Sequence, residues 1–134
     1  MTTANERIID AWFPCVAVDE ACGNPAGSGK NEKAIFTWFA SRPIAQARAA
    51  VATALLPDRP ETRHLIDSSI GGDHGAIKKL ADMVGSLYPQ GRPVILDVFS
   101  GRGIIPLEAA RLGAIAVGLD LSPVATLAGR ILAD

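Results

Sequence analysis

Four residues in the last third of this chain have the types and spacing to hold a charged ligand: Asp97, Gly101, Gly103 and Asp120. Each aspartate closes a short apolar run, Pro93–Leu96 in one case and Ile115–Leu119 in the other. Such runs read as parallel strands buried on both faces. In an open α/β sheet, ligands sit at the carboxyl ends of the strands, and both acids fall there. The two glycines lie in the turn between the first strand and the following helix. Without a Cβ, the backbone there bends sharply and lets a ligand come close. Asp120 lies 17 residues after Gly103, near the distance at which an acid that binds ribose hydroxyls is expected.

Two cofactor classes compete for this pattern. A dinucleotide fingerprint needs a third glycine, where this chain has Pro106. It also places phosphates on the helix N-terminus, and Asp97, just ahead of that turn, would repel them. S-Adenosylmethionine (SAM) has no phosphate and carries a cationic sulfonium and a cationic amino group, both of which a carboxylate attracts. The pair of acids therefore favours SAM over NAD, with a βαβ turn that holds no ligand as the alternative; Pro106 and Asp97 argue against a nucleotide-dependent oxidoreductase.

The elements that must position these residues can be read from periodicity and punctuation. Asn5 is expected to cap a helix through Phe13, with Ile8, Ile9 and Trp12 on one face, stopped by Pro14. Residues 15–34 read as an irregular loop, followed by an apolar aromatic run from Ala34 to Phe39. Pro43 suits the first turn of an alanine-rich, largely buried helix through Leu56. Residues 57–72, with Pro57, Pro60 and Gly71-Gly72, read as a second loop. Asp73 is expected to cap a helix to Tyr88 with Ile77, Leu80, Ala81, Val84 and Leu87 facing inward. After a Pro89–Gly91 turn come the first strand, a helix over Ile105–Leu112 closed by Gly113, the second strand, and a last helix capped by Ser122 and opened by Pro123. Residues 93–133 thus form a βαβα unit with a right-handed crossover expected. The predicted class is α/β: a mainly helical segment over residues 1–90, then the start of a parallel-sheet domain over 91–134.

Composition sets the outer limits. The 134 residues are 49% hydrophobic and 20% charged, as in a globular protein. The net charge of −1 is no electrostatic footprint for nucleic acid. Cys15 and Cys22 lack zinc or redox spacing and read as free thiols. There is no secretory signal, and no apolar run approaches the ~20 residues of a membrane span, so a cytoplasmic location without membrane attachment is expected. His64 and His74 are isolated, which leaves no metal set, and both read as surface residues, as do Lys78-Lys79. Glu108 and Arg111 are expected to form a weak surface pair. Gly27-Ser28-Gly29-Lys30 fails as a phosphate loop, because Asn24 and Asn31 occupy positions that need glycine and Ser/Thr.

Several blocks also carry a family resemblance. Asp97-Val98-Phe99-Ser100-Gly101-Arg102-Gly103, followed by Ile105-Pro106-Leu107-Glu108-Ala109, resembles the "D-P-F-x-G-x-G … P-L-E-A" SAM-binding motif of DNA amino-methyltransferases. Leu119-Asp120-Leu121-Ser122-Pro123-Val124-Ala125 resembles the "D-L-N-P-V-A" that follows it. Upstream, Ile9-Asp10-Ala11-Trp12-Phe13-Pro14 resembles "I-E-x-W-L-P", and Trp38-Phe39-Ala40-Ser41-Arg42-Pro43 with Arg48-Ala49-Ala50 resembles "W-W-A-R-R-P … R-A-A". Together these resemble the large adenine-specific DNA methylases that begin with a domain of unknown function, the DUF1156 group. Val98 in place of proline, Ser41 in place of arginine, and Ile104 in place of a small polar residue depart from the pattern; no glycine or acid is lost.

The resemblance implies a SAM-methyltransferase, Rossmann-like parallel sheet of which this chain holds the first βαβα unit. It implies that Asp97, Phe99, Ser100, Gly101 and Gly103 line the methionine side of SAM, and that Asp120, with Leu121 beside it, binds the ribose. It implies a second wall from Trp38 to Pro43, whose aromatic and Arg42 hold the adenine or the methionine carboxylate; plain core packing accounts for Trp38 and Phe39 equally well. DNA would be the substrate of the full enzyme. Family members carry an "N-P-P-Y" or "D-P-P-Y" motif that binds the target amino group and stacks on a flipped base. No such tetrapeptide occurs here, so no catalytic residue is assigned. The expectation is an N-terminal, SAM-binding portion of an adenine N6-methyltransferase whose C-terminal part is missing. The alternatives are a SAM-binding module or truncated remnant that is inactive without a partner, and an enzyme acting on cytosine N4 or on RNA.

Overall fold

The computed structural model describes residues 6–23 and 42–133. In chain order the elements are α1 (Ile8–Ala11), α2 (Cys15–Gly23), α3 (Ile44–Leu55), α4 (Pro60–Ile70), α5 (His74–Leu87), β1 (Val94–Asp97), α6 (Ile104–Arg111), β2 (Ile115–Gly118) and α7 (Pro123–Ala133). The class is α/β, mixed helical with a two-stranded parallel sheet.

The N-terminal part contains more helix than the sequence reading expects. Asn5 lies outside the described residues, and α1 starts after Arg7, whose backbone N–H donates to Asp10 Oδ2 at 3.0 Å. Ile8 is sealed in the core, but Ile9 is 48% exposed, so the expected apolar face of Ile8, Ile9 and Trp12 does not form as one. Pro14 does not lead into a loop. Its carbonyl accepts the Val18 N–H at 3.0 Å and opens α2, which turns Val18 into the core. Cysteine, valine and glycine are weak helix formers, and burial overrides their propensity.

The second expected loop is also helical. Pro60 is the first residue of α4, a position where no intrahelical donor is needed and proline is favoured. Thr62, Ile66, Ser69 and Ile70 are buried along one face, the i, i+4, i+7, i+8 spacing of an amphipathic helix. Two of the four are polar, which hides the stripe from a hydrophobicity reading.

Elsewhere the elements follow the sequence. The central helix α3 buries Ala47, Ala49, Val51 and Ala52, and the Thr53 hydroxyl donates to Ala49 O at 2.8 Å. Asp73 Oδ1 caps α5 by accepting from Gly75 N (2.7 Å) and Ala76 N (3.2 Å). Leu80 and Val84 of α5 are buried, whereas Leu87, expected inside, is 39% exposed. Gly113, at φ 84°, ends α6: its N–H reaches Ala110 O while Ala114 N reaches Ala109 O, both at 3.0 Å.

In the sheet, β1 runs parallel to β2 with Val94 opposite Ile115 and Asp97 opposite Gly118. Ile95 and Ala116 point into the core with Ala109, Leu112 and Ala114, and that core continues without a break into Ala49, Leu55, Ile66 and Leu80 of the helical part. The other face is bare: Val94, Leu96, Ile115 and Val117 are exposed. This corrects the expectation of strands buried on both faces. Among the described residues, no helix is long and apolar enough to cross a membrane.

Candidate functional site

The bend between β1 and α6 is held from both strands. The ladder runs past the end of β1: Leu119 N donates to Asp97 O at 2.8 Å, and Ser100 N donates to Leu119 O at 2.9 Å. The first residues of the bend are thereby fixed beside the end of β2. Gly101 and Gly103 then take φ values of +51° and +83°, a region that L side chains rarely enter. Gly103 N closes back on Ser100 O at 2.8 Å, and Gly103 O accepts Leu107 N at 2.9 Å to start α6.

Both predicted acids turn toward this bend. Asp97 Oδ1 accepts the Phe99 N–H at 3.1 Å. Asp120 Oδ2 accepts the Gly101 N–H, and its Oδ1 accepts the Ser122 N–H, both at 2.8 Å. Asp120 is thus also a staple, joining the bend to the start of α7. Sequence reasoning assigned it a ligand but missed this structural duty. Both carboxylates are half-buried. Each oxygen has a second lone pair, so neither acid is exhausted as an acceptor.

Two close contacts explain the glycines further. A Cβ on Gly118 would lie 3.0 Å from Pro106 Cγ and 3.0 Å from Ser100 Cβ. In a dinucleotide site a glycine at the Pro106 position provides the close helix–strand approach; here the strand supplies the missing side chain instead. A Cβ on Gly103 would lie 3.3 Å from Gly129 Cα, so α7 rests directly on the bend.

The remaining candidates are placed less tightly. Phe99 and Leu121 are 83% and 97% exposed, on either side of the staple in sequence. Arg42 and Pro43 are exposed at the start of α3, and among the described residues neither hydrogen-bonds to the bend. Trp38 and Phe39 lie outside the described residues, as does the 27–30 glycine segment. Cys15 is exposed and Cys22 half-buried, both on α2. His64, His74, Lys78 and Lys79 are exposed, and among the described residues no cluster of metal-ligating side chains occurs. A shallow cavity of about 270 Å³ lies elsewhere, lined by Pro57, Arg59, Asp82, Met83, Ser86 and Leu87, and includes no residue of the bend.

One buried constellation escaped the sequence reading. Glu108 is fully buried, and its Oε2 accepts Arg48 Nε at 2.7 Å. Its Oε1 accepts Arg111 Nη1 at 2.5 Å. The expected weak surface pair of Glu108 and Arg111 is therefore corrected: the glutamate is internal and Arg48 is its buried partner. Arg48 Nη1 also donates to Ser69 O at 2.6 Å. The available signal was an arginine among the inward alanines of α3.

No protein-family model, no curated protein and no solved structure matches this chain.

Proposed function

We propose that this chain is the SAM-binding portion of a DNA adenine N6-methyltransferase with a Rossmann-like sheet. The observation that carries the reading is the convergence of Asp97 and Asp120, from neighbouring strand ends, on a bend held open by two glycines of positive φ. Carboxylates are acceptor-only and anionic, which fits the cationic amino group and sulfonium of SAM and the donor hydroxyls of its ribose. Asp97 and the 99–103 backbone would hold the methionine end, and Asp120 the ribose. When bound, SAM supplies an activated methyl group for an amino nitrogen. This chain's contribution to the transfer is positioning, which is a large part of what catalysis requires.

The bare sheet face supports the same reading. Parallel sheets are normally covered on both faces, so the intact enzyme would cover Val94, Leu96, Ile115 and Val117 with further elements. The target-base pocket would come from residues other than these 134, since no N/D-P-P-Y tetrapeptide is among them. That absence also favours a second reading, a SAM-binding module that acts only with a partner.

Calorimetric titration of the chain is expected to give a saturable heat with SAM and none with NAD. Asp120→Asn is expected to weaken SAM at least tenfold, about 1.4 kcal/mol. The Asn amide carries an NH₂ where Asp120 offers its second acceptor oxygen, so it cannot satisfy both Gly101 and Ser122. Binding of NAD with no response to SAM would sink the cofactor assignment. Unchanged SAM affinity in Asp120→Asn would remove Asp120 from the site.

A further inference from the structure

We infer that Arg48 and Glu108 are positioning residues for the cofactor bend, an inference that deepens the proposed SAM site and rests on it for the ligand. The side chain of Arg48 ties three helices together: Nε holds Glu108 of α6, and Nη1 holds the Ser69 carbonyl at the end of α4, while Arg48 itself belongs to α3. Glu108 accepts one charged donor on each oxygen, from Arg48 and from Arg111, and is shut off from solvent. The buried residues of α3, the helix on which α6 packs, include three alanines, Ala47, Ala49 and Ala52, beside Val51 and Leu55. Methyl groups interdigitate little, so apolar contact there fixes the axial position of α6 less sharply than a directional bond does. A charged fork has fixed directions and fixes it firmly.

Position matters because α6 begins at the bend itself. Leu107 N is bonded to Gly103 O, and Pro106 lies close enough to the strand that a Cβ on Gly118 would sit 3.0 Å from its Cγ. A sliding α6 would drag Gly103 and Gly101 with it and stretch the 2.8 Å bond from Gly101 N to Asp120. Stability alone does not account for such a pair, because buried ion pairs are often replaceable by apolar residues of similar volume without loss. What the apolar pair cannot replace is direction.

The test uses that asymmetry. The double variant Arg48→Met/Glu108→Met keeps volume and removes the fork. Ser69 O retains the Gly72 N–H, and Arg111 is partly solvated, so no group is stranded. The full chain is compared with the variant by thermal melting, by amide exchange at Gly101 without cofactor, and by calorimetric titration with SAM. The expected result is a melting temperature near that of the parent, Gly101 exchange at least tenfold faster, and SAM affinity at least tenfold weaker. Arg48→Lys is the second variant. It keeps the charge but reaches only one of the two acceptors, and is expected to shift exchange and affinity in the same direction by a smaller factor. Unchanged Gly101 exchange in either folded variant overturns the inference. Faster Gly101 exchange in the variants, together with a parent chain that does not bind SAM, keeps the positioning role and overturns only the ligand.

Discussion

The two faces of the small sheet have opposite surroundings. On one, Ile95 and Ala116 meet Ala109 and Leu112 and join a core that runs through every helix from α1 to α6. On the other, Val94 and Leu96 stand 64% and 59% exposed beside Ile115 and Val117. The sequence makes both faces equally apolar. Hydrophobic pattern therefore reports that a strand is suited to burial on two sides, and not which side its present neighbours cover.

That contrast can be broken or sharpened by substitution. Leu112 is fully buried under the covered face, and Leu112→Ala is expected to cost about 2–5 kcal/mol. Leu96→Ala on the bare face is expected to change stability by less than about 0.5 kcal/mol. Urea unfolding measures both, and similar costs would mean that the bare face is covered in solution. A smaller contrast of the same kind separates two glycines. Gly103→Ala must adopt a left-handed φ with Gly129 Cα at 3.3 Å, and is expected to cost about 1–2 kcal/mol. Gly85, inside α5, has nothing near its missing Cβ, and Gly85→Ala is expected to add roughly 0.5–1 kcal/mol. A loss at Gly85 would show that the open side of α5 is occupied.

The smallest expected effect lies at an ion pair between Asp58, just ahead of α4, and Arg63 within it. The hydrogen bond from the Arg63 side chain, with its charge adding to it and burial opposing, holds the Asp58 carboxyl below its ordinary 3.8. A lowered acid contributes stability that is complete above the ordinary value and fades as pH falls through the lowered one. Melting followed from neutral to strongly acid pH should therefore show an acid limb that Asp58→Asn flattens. An identical limb in the variant would show that the pair contributes nothing in solution.

The sheet, the bend and the helices α3, α5, α6 and α7 were legible because local signals agree there: Asp73 and Ser122 as caps, Gly113 as a stop, and apolar runs ending in acids. The helices α2 and α4 were not, since Pro14 and Pro60 punctuate a helix start as readily as a loop, and Thr62 and Ser69 replace apolar residues in the buried stripe. Gly101 and Gly103 were identifiable from type and spacing, but the service of Gly118 to Pro106 was not, because it depends on a contact across the sheet. Arg48 and Glu108 stand 60 positions apart, and no periodicity links such residues.

The grip of Asp120 on two amides has one last consequence. A carboxylate bonded to Gly101 on one oxygen and to Ser122 on the other cannot rotate about its own axis. Its spare lone pairs therefore aim in directions set before any guest arrives. A donor docking there meets a preorganised acceptor and avoids the freezing of a loose side chain, a saving of about 0.5–1.5 kcal/mol.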